Sequence, residues 1–117
     1  MRRVEKPWGH ALIWAETARY VGTVLHIQAG ERLSRQYHRV KDETLLLQSG
    51  EMVLEIGPDG SVDERRMRAG DVFHVVPGTI HRMVAVTDVD VVEVSTPELD
   101  DVVRLEDVYG RTGTSAP

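Results

Sequence analysis

The apolar pattern of this 117-residue chain is broken too often for long helices to form. Gln28-Ala29-Gly30-Glu31, Gln48-Ser49-Gly50-Glu51, Gly57-Pro58-Asp59-Gly60, Arg68-Ala69-Gly70-Asp71, Val76-Pro77-Gly78-Thr79 and Thr87-Asp88-Val89-Asp90 cut it into short runs. Breaks recurring about every 8–12 residues are the rhythm of an all-β sandwich or barrel. The runs themselves agree, because 18 Val, 4 Ile and 8 Thr make about a quarter of the chain β-branched. Side chains of that kind are stiff at their first torsion and fit a pleated surface better than a helix. The expected strands are 12–15, 21–28, 31–38, 43–49, 51–56, 64–67, 71–76, 81–86 and 90–95. Helix signal is confined to Thr96-Pro97-Glu98, a cap followed by Pro, which predicts a short C-terminal helical turn. Val102-Val103-Arg104-Leu105 reads equally well as a last strand. Residues 1–111 read as one domain and 112–117, small and polar, as a flexible tail.

Composition narrows the function classes. With no Cys, disulfides and thiolate metal sites are excluded. A net charge of −5 argues against a nucleic-acid partner, since phosphate binding needs clustered Lys and Arg. No run of about 18 apolar residues is present to cross a membrane as a helix. Met1-Arg2-Arg3-Val4-Glu5-Lys6 lacks the apolar core of a secretory signal, so the expectation is a cytoplasmic protein.

Spacing singles out four polar residues. Gln36 and His38 alternate on one expected strand and therefore share a face. Glu43 follows a polar turn that returns the next strand alongside, and His81 opens a strand just after Pro77-Gly78. In a small barrel these side chains could converge as one amide, two imidazoles and a carboxylate. Such donors suit one divalent ion, Zn, Mn, Fe, Co or Ni. The same groups could instead form a hydrogen-bonded polar plug with no ion. Arg32 and Ser34 share the Gln36/His38 face and are candidate contacts for an anionic or hydroxylated ligand. By the same alternation Arg35, Tyr37, Arg82 and His26 should point away from the interior. His74 has a role at the site only if it faces inward. Trp8 and Trp14 read as core or subunit-contact anchors, and the acidic run 98–101 as a solvated edge.

The order Gly30, five residues, Gln36, one residue, His38, four residues, Glu43, six residues, Gly50 resembles the first motif of the cupins. Gly70, five residues, Val76-Pro77-Gly78-Thr79-Ile80-His81 resembles their second. Leu33-Ser34-Arg35-Gln36-Tyr37-His38, with Gln where most cupins carry His, is similar to the type II mannose-6-phosphate isomerase branch. Lys6-Pro7-Trp8-Gly9, Gly78-Thr79-Ile80-His81-Arg82 and residues 101–111 extend that likeness. The resemblance implies a double-stranded β-helix (jelly-roll) barrel, a metal held by Gln36, His38, Glu43 and His81, and a homodimer. It implies aldose–ketose isomerisation of a sugar or sugar phosphate through an enediol, with Glu43 as a candidate catalytic base. The chain departs from the branch in having Thr23 where the family has an inward Lys. That departure keeps two alternatives open: a metal-containing cupin binding a small carbohydrate or acid without turnover, and a non-haem Fe(II) oxygenase.

Overall fold

The computed structural model describes residues 1–111 and the backbone of 113–115. Its strands are β1 (Arg2–Lys6), β2 (Gly9–Glu16), β3 (Val21–Ile27), β4 (Arg35–Tyr37), β5 (Glu43–Ser49) and β6 (Glu51–Ile56). There follow β7 (Asp63–Arg68), β8 (Val72–Val75), β9 (His81–Ala85), β10 (Val89–Ser95), β11 (Val102–Glu106) and β12 (Gly113–Ser115). They form two sheets in the orders β1-β2-β3-β10-β5-β8 and β12-β11-β4-β9-β6-β7. Seven of the nine expected strands are present within a residue or two of their expected ends, and β2 begins three residues before its expected start.

The turns are set where the breaks in the pattern lie. Gly50, between β5 and β6, has φ +88°, and a Cβ there would sit 2.2 Å from the Asp88 carbonyl oxygen. Only glycine meets both conditions, so this reversal is encoded by one residue.

Three expectations are corrected. The short C-terminal helical turn does not form; residues 97–101 make a bend closed by the Leu99 amide donating to the Pro97 carbonyl at 2.8 Å. Its cap is diverted, because the Thr96 hydroxyl accepts the Asp42 amide at 3.0 Å instead of an amide of a following helix. The strand expected over 31–38 contracts to Arg35–Tyr37 plus an isolated bridge between Arg32 and Val84. Glu31 is drawn aside by the Tyr109 hydroxyl, which donates to its carboxylate. Arg2–Lys6, with one apolar residue, nevertheless forms an edge strand on β2. The tail expectation falls partly on residues 112, 116 and 117, outside the described residues, while Gly113–Ser115 pair with β11.

Register divides the interior into two ends. At one end Ile27, Leu25, Val89, Val91, Leu47, Leu54, Met52 and Ala85 face each other as a dry core. Toward the other end of the same strands the inward row turns polar: Thr23 lies opposite Glu93, Ser95 opposite Glu43, and Gln36 opposite His81. The candidate site lies at this second end.

Candidate metal centre and cavity

His38, Glu43 and His81 each offer a ligand atom within 4.8 Å of the others. All three side chains are buried, at 1%, 2% and 1% exposure. His38 follows β4, Glu43 opens β5 and His81 opens β9, so three strand ends deliver them. Both rings are anchored on their far side. His38 Nδ1 donates to the Asp101 carbonyl at 2.6 Å, and His81 Nδ1 donates to the Thr79 carbonyl at 2.9 Å. A carbonyl can only accept, so each Nδ1 carries its hydrogen and each Nε2 is left to face Glu43.

His38 Nε2 lies 3.1 Å from Glu43 Oε1. His81 Nε2 is 3.3 Å from the same oxygen and, like Glu43 Oε2, lacks a hydrogen-bond partner. Two ring nitrogens converging on a buried carboxylate need positive charge between them. A proton on either Nε2 would make that ring an imidazolium; a divalent cation would satisfy all three residues at once. Orphaned buried donor atoms with oriented rings fit such an ion, and the outer hydrogen bonds to Asp101 and Thr79 supply the support metal-binding imidazoles need. Gln36 faces the same interior, with Oε1 accepting the Ser34 hydroxyl at 2.6 Å.

Two residues missed in the sequence complete the site. Lys41, 4% exposed, places Nζ 3.4 Å from Glu43 Oε2 and 3.4 Å from Glu93 Oε2. The inward ammonium that Thr23 lacks is therefore supplied from the loop between β4 and β5. Burial pushes the Glu93 carboxyl up, and the charge of Glu43 adds to this, so that it titrates at about 8 despite Lys41. Burial also opposes ionisation of Glu43, but the two imidazoles and Lys41 outweigh it and hold its carboxyl well below the usual range. Burial likewise works against the Lys41 ammonium, yet the two carboxylates raise it above its ordinary value. At neutral pH the triplet thus reads as Lys41 charged, Glu43 charged and Glu93 protonated, a neutral set.

A cavity of about 190 Å³ opens beside this triplet. Thr23, Gln36, Lys41 and Glu93 are among its polar lining, and Trp8, Leu25, Leu33 and Met83 among its apolar lining. The imidazoles and Glu43 do not line it, so Lys41 and Glu93 stand between the open space and the cluster. Neither Arg32 nor Ser34 lines it: Ser34 is spent on Gln36, and the Arg32 amide donates to the Tyr109 hydroxyl at 3.4 Å.

The remaining polar residues are placed as follows. His26 faces outward, Nδ1 2.7 Å from Asp90 Oδ1 and its ring stacked on His10. His74 is exposed and 2.6 Å from Asp42 Oδ1, so it has no part in the site. Arg35 and Arg82 leave the interior as expected, but both are buried. Arg35 lies 3.5 Å from Glu55, and Arg82 donates to the Glu106 carbonyl at 3.0 Å. Trp8 is in the core; Trp14 is 49% exposed and lies against Gly22. The acidic run is not simply solvated: the Asp101 carboxylate accepts the amides of Arg39, Val40 and Lys41 at 3.0, 2.6 and 2.9 Å.

With this geometry in place, the sequence pattern of the cupin domain matches residues 23–96. The chain belongs to the cupin family. No curated protein matches it in sequence. Among solved structures, this cupin is similar to KdgF from Halomonas sp., at 22% identity and TM-score 0.72, covering 84% of this chain and 89% of that one. It is similar to the capsular polysaccharide assembling protein CapF of Staphylococcus aureus, at 21% identity and TM-score 0.74, covering 90% of this chain. The cupin spans about a third of CapF (34%). A sugar phosphate isomerase of Silicibacter pomeroyi shares 20% identity and TM-score 0.69, over 81% of this chain and 64% of that one. At such identities these likenesses show the fold alone.

Proposed function

We propose that this cupin is a metal-dependent enzyme acting on a sugar or sugar phosphate, with aldose–ketose isomerisation through an enediol as its reaction. The observation that carries the reading is the junction of the His38–Glu43–His81 cluster with a cavity floored by Lys41 and Glu93. His38, Glu43 and His81 would hold the ion, with Gln36 as a fourth ligand from the same interior face. A bound divalent ion would supply Lewis-acid stabilisation of negative charge developing on a carbonyl or adjacent hydroxyl oxygen.

Isomerisation needs a group that takes a proton from one carbon and returns one to its neighbour. Glu43 is the candidate base read from the sequence. Its oxygens are engaged by the imidazoles and approached by Lys41, so it acts best by holding the ion. Glu93 is the carboxyl that meets the cavity; its ionised form, which gains population as pH rises toward about 8, would take the proton, with Lys41 beside it to steady the negative charge. Two of the proteins similar in fold, a sugar phosphate isomerase and a capsular polysaccharide assembling protein, support a carbohydrate ligand.

Binding without turnover is the second reading, favoured because the Lys41–Glu93 pair separates the cluster from the cavity. Solvent deuterium appearing at the carbon next to the carbonyl of a bound aldose phosphate selects the enzyme. Binding with no exchange selects the second reading. Elemental analysis of untagged protein should find about one equivalent of a divalent metal, lost in the His38→Ala/His81→Ala double variant. Unchanged metal content in that variant would remove the metal centre from the proposal.

A further inference from the structure

Lys6-Pro7-Trp8-Gly9 resembles family sequence but has no part in the chemistry above. In the fold it is the hairpin joining β1 to β2: Lys6 and Gly9 are register partners, and Pro7 and Trp8 make the turn. Both sides of the turn are pinned. Trp8 is 3% exposed in the core and its carbonyl accepts the Gln28 amide at 2.9 Å. Gly9 has φ +152°, and a Cβ on it would lie 1.9 Å from the His26 carbonyl oxygen, so no larger residue fits against β3. The result of this tight construction is the placement of Lys6, half-buried, in the wall of the cavity.

Three arginines line the same cavity, and one of them, Arg2, lies 3.1 Å from Glu16. Arg104 comes from β11, where it pairs across the sheet with Gln36, and Arg111 follows β11, its guanidinium 2.9 Å from Asp107. The acids of the wall are Glu93, already joined to Lys41, and Asp100, exposed in the 97–101 bend. Lys6 has no carboxylate or hydrogen-bond partner among the described residues. Desolvation, with the charges of Arg104, Arg111 and Lys41, holds its ammonium down to about 8. A fold that spends a buried tryptophan and a mandatory glycine on bringing one more cation toward three others is arranged for negative charge from outside.

We propose that Lys6, with Arg104 and Arg111, forms an anion-accepting subsite on the β1/β11 side of the cavity. The ligand places a carboxylate or phosphate there while its hydroxylated carbonyl end faces Lys41 and Glu93; this orientation rests on the function proposed above. Arginine's planar fork suits either oxyanion, and the Lys6 ammonium adds a point charge.

The test is calorimetric titration of purified protein with mannose 6-phosphate, mannuronate and neutral mannose. At least one anion should bind about 10–100-fold more tightly than mannose, the scale of one or two charge-assisted hydrogen bonds. The Lys6→Gln variant should lose about tenfold of that preference, with mannose binding and metal content unchanged, and Lys6→Arg should restore it. The stronger arm identifies the oxyanion: mannuronate a carboxylate, mannose 6-phosphate a phosphate. Equal affinity for all three probes, or a preference untouched in Lys6→Gln, overturns the subsite. Failure of the metal centre reads out separately, as absence of metal in a protein that still prefers anions.

Discussion

The two ends of the barrel interior share strands, register and alternation, yet one is a hydrocarbon core and the other a charged site. In β10, Val89 and Val91 face the core and Glu93 and Ser95 continue the same inward row. In β5 the row runs from Leu47 and Leu45 to Glu43. Alternation therefore decides which side chains point inward, and only residue identity decides what the interior does. The core end contributes apolar burial; the polar end holds Lys41, Glu43, Glu93 and two imidazoles away from water, where each must be satisfied by the others.

The sharpest way to break this contrast is to damage each end once. In metal-free protein, Lys41→Met leaves Glu43 charged without its ammonium and should cost about 3–5 kcal/mol, read by urea denaturation. Leu54→Ala, at a position with 0% exposure, should cost about 2–5 kcal/mol through lost burial and a cavity. The two losses should respond differently to a divalent ion. Manganese(II) should restore more stability to Lys41→Met than to the parent protein, because it replaces missing positive charge beside Glu43, while the Leu54→Ala deficit stays the same. A Lys41→Met protein indifferent to the ion would mean that the polar end has no cation site.

A smaller effect is expected at the support of the polar end. Asp101 ties the loop carrying Lys41 through three amides, and its own carbonyl fixes the His38 ring. Asp101→Ala keeps that carbonyl but frees the loop, at a cost of about 1–3 kcal/mol. It should weaken manganese(II) binding without changing the response of the core to Leu54→Ala in the double variant. Additive losses would confirm two independent ends; strong coupling between them would not.

The core end was legible in the sequence because Val-rich runs and Gly-containing breaks carry period and punctuation together. His38, Glu43 and His81 were legible as a cluster, and Gln36 as a neighbour facing the same interior, because two alternate on a strand and the rest follow in a family's motif order. Lys41 was not, because it sits in a loop, where no period tells which way a side chain turns. Glu93 did carry a signal: it occupies the inward phase set by Val89 and Val91, an acid in a row of valines. The helical turn failed because the Thr96 hydroxyl had a better use, accepting the Asp42 amide that β5 leaves at its entry. Arg35 and Arg82 show the limit of alternation, which gave their direction correctly but not their burial against Glu55 and Glu106.

The smallest expected effect asks how far the polar end extends toward the cavity mouth. Lys6 is faced by Arg104 from β11, by Arg111 beyond it, by Lys41 from the loop before β5, and by Arg2, Glu93 and Asp100 in the same wall. Its folded value of about 8 lies below the ordinary 10.5, so between these two the unfolded chain keeps a proton that the folded chain releases. Stability should therefore rise slightly with pH across that window. Anion binding should move the other way, weakening as pH rises through about 8, because the neutral amine no longer attracts a carboxylate or phosphate. In Lys6→Arg the guanidinium stays charged and the affinity for mannose 6-phosphate should be flat over the same range. A parent protein as flat as Lys6→Arg would place Lys6 outside the binding wall and end the polar region at Lys41 and Glu93.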